Sequence, residues 1–316
     1  MNHNINVGYG QLIADRLQGN NAGKTIVVGA SALAHIDIYK NIFQPDADGK
    51  VLFAATVDAA VGLCTAASGD TIYVLPGHTE TITNTSTTLD VAGINIVCLG
   101  HGANAPIFTY SAAEATITVS AANVTWKGGR FVGNFDNVAA AFTLGDCANF
   151  KLEGGDFIDN SSVLHFMSIV VTGATNNACD GLQVIRNRWW GLALAPNAFI
   201  SILGDADRVV IADNDVTMAA TNDVGHFLTI TGDTLRHVRI VRNSLFVTGA
   251  TNASVGIFLT GSSTDNTGIV AYNLVTSLDT TSELIATAGT GLAFFENYYT
   301  GTADASGKLW PAVDAA

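Results

Sequence analysis

Charge is scarce in this chain, and positive charge scarcest of all. Lysine, arginine, aspartate and glutamate make up 13% of 316 residues, about half the usual share. Fourteen Lys and Arg face 27 Asp and Glu, a formal charge of −13, and Arg186 and Arg188 are the densest basic pair in the repeats. Affinity for phosphate backbones comes from clustered cations, so nucleic acid is excluded as a partner. Long apolar runs are missing too. Hydrophobic residues reach 48%, with mean hydropathy +0.32, yet no stretch approaches the ~18 residues of a membrane span. The first 19 residues have neither a basic nor an apolar leader region, and the closing LWPAVDAA carries no anchor signal, so neither a Sec signal nor a membrane anchor is expected.

Metal and cofactor signatures are equally absent. The four cysteines, Cys64, Cys98, Cys147 and Cys179, form no CxxC or CxxH pair, and the seven histidines show no ligand spacing. No metal or cofactor is expected, and the cysteines read as buried free thiols suited to a reducing cytoplasm. Gly19 and Gly23-Lys24-Thr25 fall one residue short of a phosphate loop and run into β-branched Ile26, Val27 and Val28 rather than a helix. Asp46-x-Asp48-Gly49 lacks the rest of a calcium loop and reads as a turn.

What is present is a recurring asparagine. Residues 182–190 (LQVIRNRWW), 209–217 (VVIADNDVT), 238–246 (VRIVRNSLF), 268–276 (GIVAYNLVT) and 292–300 (LAFFENYYT) share one pattern of β-formers, Asn and more β-formers. Asn187, Asn214, Asn243, Asn273 and Asn297 are separated by 27, 29, 30 and 24 residues. Gly100, Gly129 and Gly155 extend the frame upstream, for a mean step of about 28 residues. A second strand family precedes these corners at 140–144, 168–172, 199–203, 227–231, 256–260 and 283–287. Such a period, without helical patterning, predicts an all-β solenoid of about eight to nine coils with at least two strands each. Stacked coils bring equivalent residues to about 4.8 Å, so the asparagines are expected to share their amides as a ladder. The corners themselves call for residues that accept positive φ, which Gly and Asn supply.

Three regions follow. Residues 1–53 do not fit the repeat and read as an attachment arm, with Tyr9, Leu12, Ile13 and Leu17 as its docking residues and a strand at 25–28. Residues 54–301 form the solenoid, beginning with a capping helix at 56–65 that has Thr56 as N-cap and Asp58 in its first turn. Residues 302–316 read as a terminal cap with Trp310 as anchor.

Asp58-Ala59-Ala60, then Gly69-Asp70-Thr71-Ile72-Tyr73-Val74 and Pro76-Gly77, followed by V-x-I-x-x-N coils, resembles the right-handed parallel β-helix proteins of the pectate-lyase-like superfamily. The resemblance covers about residues 54–300 and implies a single-stranded right-handed parallel β-helix, without fixing an activity. The block at 23–53 resembles proteins among the structural genes of tailed bacteriophages. It implies a virion component, such as a head-decorating or fibre protein assembled in the host cytoplasm, with other virion proteins such as the major capsid protein as partners. The pectinase motifs Asn-Thr-Asp, Asp-Asp and Arg-Ile-Lys are not found in this sequence.

Positions −5 and −3 from each asparagine are expected to point inward. Position −2, held by Ile185, Ala212, Val241, Ala271 and Phe295, is then an outward apolar stripe that predicts a homo-oligomer, a trimer around one axis. For an enzyme, the best acidic cluster is Asp205, Asp207, Asp213 and Asp215; the alternation Arg186, Asp213, Arg242 instead suggests a solvent-facing charge ladder. Of Trp189 and Trp190, at most one faces solvent, because adjacent strand residues point oppositely. The reading that results is a non-enzymatic virion protein; the rival is a tail-spike depolymerase or lyase, or an adhesin, acting on a host surface glycan.

Overall fold

The structure, a computed structural model, describes residues 23–29, 51–84, 87–193, 195–219, 226–230, 234–248, 257–259, 266–277, 285–287, 291–301 and 307–309. The chain winds into an all-β, right-handed parallel β-helix of about seven turns. Face A has eleven described strands, running from Val51–Ala54, Thr25–Val28 and Thr71–Val74 to Gly291–Phe295. Face B has ten, from Thr79–Ile82 to Asn297–Gly301 and the antiparallel Gly307–Leu309. Face C has eight, from Thr87–Leu89 to Ile285–Thr287. The asparagine is where a continuous β-rich run divides between faces A and B, as in Gln183–Ile185 and Arg188–Gly191, so each coil carries three strands.

Inward positions behave as the alternation requires. Val184, Ile211, Ile240 and Val270 stack in one register column and are fully buried, as are Leu182, Val209 and Val238. Gly268 interrupts that second set for a steric reason. At φ +141° a Cβ there would collide with the backbone of Val238, its partner in the neighbouring strand.

The A/B corner holds the principal hydrogen-bond network. Each ladder asparagine is buried. Asn243 Oδ1 accepts from Asn214 N (3.0 Å) and Asn214 Nδ2 (2.9 Å), while Asn243 Nδ2 donates to Ile211 O (2.9 Å) and Asn273 Oδ1 (3.0 Å). The same set repeats from Asn187 to Asn297. The positive φ lies one residue earlier than the corner chemistry suggested. Arg186, Asp213, Arg242, Tyr272 and Glu296 have φ of 42–58°, and the asparagines do not. A left-handed non-glycine residue costs roughly 1–2 kcal/mol. The four side-chain bonds at each internal asparagine offset this at about 1 kcal/mol net apiece.

Upstream, glycine replaces asparagine because aromatic rings fill the corner. Phe108, Phe131 and Phe157 stack with centroids 5.3 and 4.6 Å apart. A Cβ on Gly155 would meet Phe157 at 2.8 Å, and one on Gly129 would meet Cys98 Sγ at 3.1 Å. The ladder therefore begins at the Gly155 amide, which donates to Asn187 Oδ1 at 2.8 Å.

The first end of the solenoid is closed by α1 (Val57–Val61). Thr56 caps it as expected, accepting from Ala59 N at 3.2 Å, and Val57, Ala60 and Val61 join the core. The helix is half the anticipated length, since Leu63 and Cys64 tighten the next turn by bonding back to Ala60 and Val61. The strand at 25–28 forms, but not as part of a free arm. It is inserted between Val51–Ala54 and Thr71–Val74, parallel to both, and is buried throughout. Its β-branched residues make it a rung. Buried Asp70 fixes this rung, accepting from Lys24 N and Thr65 N at 2.6 Å each. Lys24 Nζ bonds Leu63 O and Thr65 Oγ1, so it latches the rung to the cap rather than serving a phosphate loop. Tyr9, Leu12, Ile13, Leu17, the Asp46–Asp48 turn and Trp310 lie outside the described residues.

Asn243→Ala is expected to lower unfolding free energy by about 3 kcal/mol or more, because it strands buried groups on both neighbouring coils; equilibrium denaturation measures this, and a loss under about 1 kcal/mol would refute the role given to the ladder. The cysteines are free, with Cys147 Sγ 2.8 Å from Cys179 Sγ. Hydrogen bonding to Cys179 together with burial pushes the Cys147 thiol up, and burial pushes Cys64 up to about 12. Burial pushes Cys98 up as well, so aromatic disulfide reagents at neutral pH should label Cys64, Cys98 and Cys147 only slowly in the native protein and promptly after denaturation.

Candidate functional site

The four candidate aspartates divide between two places. Asp205 and Asp207 precede the face-A strand Val210–Ala212, whereas Asp213 follows it and Asp215 opens the next strand on face B. Asp205 Oδ1 accepts from Thr234 N at 2.8 Å. Asp207 is engaged by His237 Nδ1 and Arg208 Nη1, both at 2.7 Å. Asp213 receives Arg242 Nε at 2.6 Å and Nη2 at 2.8 Å. Asp215 is exposed, in register between Arg188 and Ser244. The expected alternation is thus half realised: Asp213 pairs with Arg242, but Arg186 turns back to Glu153.

Sequence inspection missed a basic cluster, because its members come from successive coils. Glu153 is buried between Lys151 Nζ (2.7 Å), Lys127 Nζ (4.0 Å) and the Arg186 guanidinium. One column along, Asp156 lies between Arg130 Nε (3.1 Å) and Arg188 Nη2 (2.7 Å). Parallel register stacks residues 26–33 apart, so five of the fourteen basic residues meet. The signal was available once the glycine corners were aligned with their flanks: Lys127 and Arg130 bracket Gly128-Gly129.

Of these side chains, Lys127, Arg130, Glu153, Asp156 and Arg186 line a groove of about 470 Å³ at the A/B corner, together with Gly100, Gly128, Gly129 and Gly154 and with His101. Gly128 and Gly154 have φ of 77 and 71°, the conformation that Arg186 and Asp213 hold with full side chains. A Cβ on Gly154 would meet nothing within 4 Å. Glycine at 154 is thus favoured by the left-handed backbone and not by crowding, and its consequence is an open floor.

Further along the same edge the surface becomes apolar. Ile185, Ala212, Val241, Ala271 and Phe295 do form one column. Ala212, Val241 and Ala271, however, are buried in a small cluster of their own with Val210, because short side chains at strand spacing shield one another. The side chains open to solvent are Ile269 and Phe295 on face A, Tyr272 at the corner, and Phe246, Leu274 and Tyr298 on face B. Trp190 is 53% exposed and Trp189 is buried, as strand alternation requires.

The carboxylates carry an acid sensitivity. Burial opposes ionisation of Glu153, but hydrogen bonds from Lys151 and Arg186 outweigh it and hold the group below the usual range. The Arg242 guanidinium does the same for Asp213, and His237 for Asp207. Depressed carboxylates contribute stability that is complete above their unfolded values, about 4, and lost as pH falls through the lower folded ones. Asp159 works in the opposite sense: burial raises it, so its contribution is complete below its unfolded value and lost as pH rises through the folded one. Below about pH 4 the three depressed carboxylates act together, and the melting temperature should fall there. Asp213→Asn should shallow the acid limb, and calorimetry across pH tests both.

Among the described residues, no group of three or more His, Cys, Asp or Glu is arranged to hold a metal. No described helix is long and apolar enough to cross a membrane. The parallel β-helix is consistent with the pectate-lyase-like resemblance, but in comparisons with known proteins no family model, curated protein or solved structure matches this chain.

Proposed function

We propose that the chain is a non-enzymatic structural rod that self-associates and serves as a bacteriophage virion component of the capsid-decorating or head-fibre kind. In this reading it is held to a partner such as the major capsid protein through its N-terminal residues. The observation that carries self-association is the cluster of six exposed large apolar side chains around the A/B edge of the last coils. A surface of this kind is characteristic of an interface. A second copy of the chain presents the same apolar edge, and three parallel rods bring three such edges to one axis, which gives a trimer. The virion assignment rests on the resemblance of the 23–53 block, and the free thiols, of which Cys147 and Cys179 are buried and Cys64 and Cys98 half-buried, suit assembly in host cytoplasm.

The depolymerase reading needs two carboxylates working about 5–9.5 Å apart across a bond. Engagement of Asp205, Asp207 and Asp213 by backbone, His237 and arginines favours a structural role for them instead. A second reading, a glycan-binding adhesin, is favoured by the exposed aromatic rings of Trp190, Phe246, Tyr272 and Tyr298 along one edge.

Light scattering separates the two. Wild-type chain should be trimeric, and Tyr272→Ser with Phe295→Ser should make it monomeric with little change in melting temperature, since both side chains are exposed. Deleting residues 1–22, which spares the rung at 25–28, should leave the trimer intact. A monomeric wild type would overturn self-association and leave the aromatic edge open for sugar.

A further inference from the structure

We infer that the glycine-floored groove at the A/B corner is a binding site for a small ligand that carries an oxyanion, a carboxylate or a phosphate. Two independent features of the site lead there. The first is charge. Lys127, Arg130 and Arg186 line the groove with Glu153 and Asp156, an excess of one positive charge, while Lys151 and Arg188 engage the same two carboxylates from outside the lining. The rest of the molecule is acidic, with a formal charge of −13 overall. An isolated positive recess in a negative surface focuses its field on anions. Neutralising Glu153 alone does not require three cations, and Lys127 stands farthest from it, at 4.0 Å and 59% exposed. Its ammonium is the donor freest to turn to a ligand.

The second feature is shape. Every later coil places a side chain at the residue before the ladder asparagine, and the coils under the groove place glycine there. A side chain at Gly154 would meet no neighbour within 4 Å, and its φ of 71° lies in the left-handed region that Arg186 and Asp213 occupy at some cost, so glycine there relieves strain and also leaves the floor open. The groove as a whole, about 470 Å³, lies within the range of small-molecule sites and suits a ligand of one or two rings. Arginine supplies planar, two-pronged donors that match carboxylate and phosphate, and lysine a mobile point charge.

The site lies where faces A and B meet in the first coils, away from the apolar edge, and does not depend on the oligomeric state. The test is calorimetric titration of the full chain with inorganic phosphate and with glucuronate, using glucose as the neutral control, at low and high salt. Either anion should bind, more weakly at high salt, and glucose should not. Phosphate alone binding would assign a phosphoryl ligand, and glucuronate alone a carboxylate sugar; both sustain the proposal. Lys127→Gln should weaken binding about tenfold, the loss of one charge-assisted hydrogen bond. Gly154→Asn fills the floor with the side chain that best tolerates positive φ; it should weaken binding at least as much, with a melting temperature only a few degrees lower, so that the protein is folded at the titration temperature. Arg239→Gln, an exposed cation on face A outside the groove, should leave binding unchanged. If neither anion binds, or if Arg239→Gln weakens binding as much as Lys127→Gln, the proposal is wrong.

Discussion

The tight turn between faces A and B is the constraint on which the rest of this molecule depends. Two residues redirect the chain from one face to the next, and the first of them must take a left-handed conformation, as Arg186, Asp213 and Arg242 do. From Lys127 onward this two-residue turn repeats with the same left-handed first residue, so those coils leave the corner in the same direction and their strands stay in register. The asparagine that follows supplies the compensating bonds by joining its own coil to the ones above and below. Where it is missing, stacked phenylalanines occupy the corner instead. Dispersion and hydrogen bonding thus serve the same geometric end in different halves of the rod.

A parallel solenoid must also manage its ends, since unpaired strand edges and apolar core are open there. At the first end, α1 places Val57, Ala60 and Val61 over the core, and the rung Thr25–Val28 is held by the Asp70 carboxylate. Gly23 is needed there, because a Cβ would collide with Asp70. At the other end, Gly307–Leu309 reverses direction and pairs antiparallel with residues 297–299, which covers the edge of the last parallel strand on face B.

The outer surface follows from the same stacking. Residues about 28 apart in sequence become neighbours at strand spacing, so any bias shared by a few coils becomes a patch. Basic residues at the flanks of the glycine corners become a positive groove in an acidic chain, and large apolar residues on the last coils become an exposed edge. Between them the Ala212, Val241 and Ala271 column closes on itself, because its side chains are too short to reach past their neighbours. Both candidate surfaces thus lie along one edge of the rod, at different heights.

Architecture was legible in the sequence because it is periodic. The spacing of Asn187, Asn214, Asn243, Asn273 and Asn297, and the alternation of Val184 and its equivalents, are local patterns with one stacked solution. Thr56 as N-cap and the opposed faces of Trp189 and Trp190 were legible for the same reason. Tertiary structure alone decided what depends on neighbours from other coils. Arg186 pairs with Glu153 rather than Asp213 because side-chain reach, not sequence order, selects the partner. The strand at 25–28 enters face A because a gap between 51–54 and 71–74 accepts it, which no local pattern announces. The groove exists because glycines and cations separated by 26–33 residues are superposed by parallel register, a juxtaposition that a one-dimensional reading of charge does not reveal.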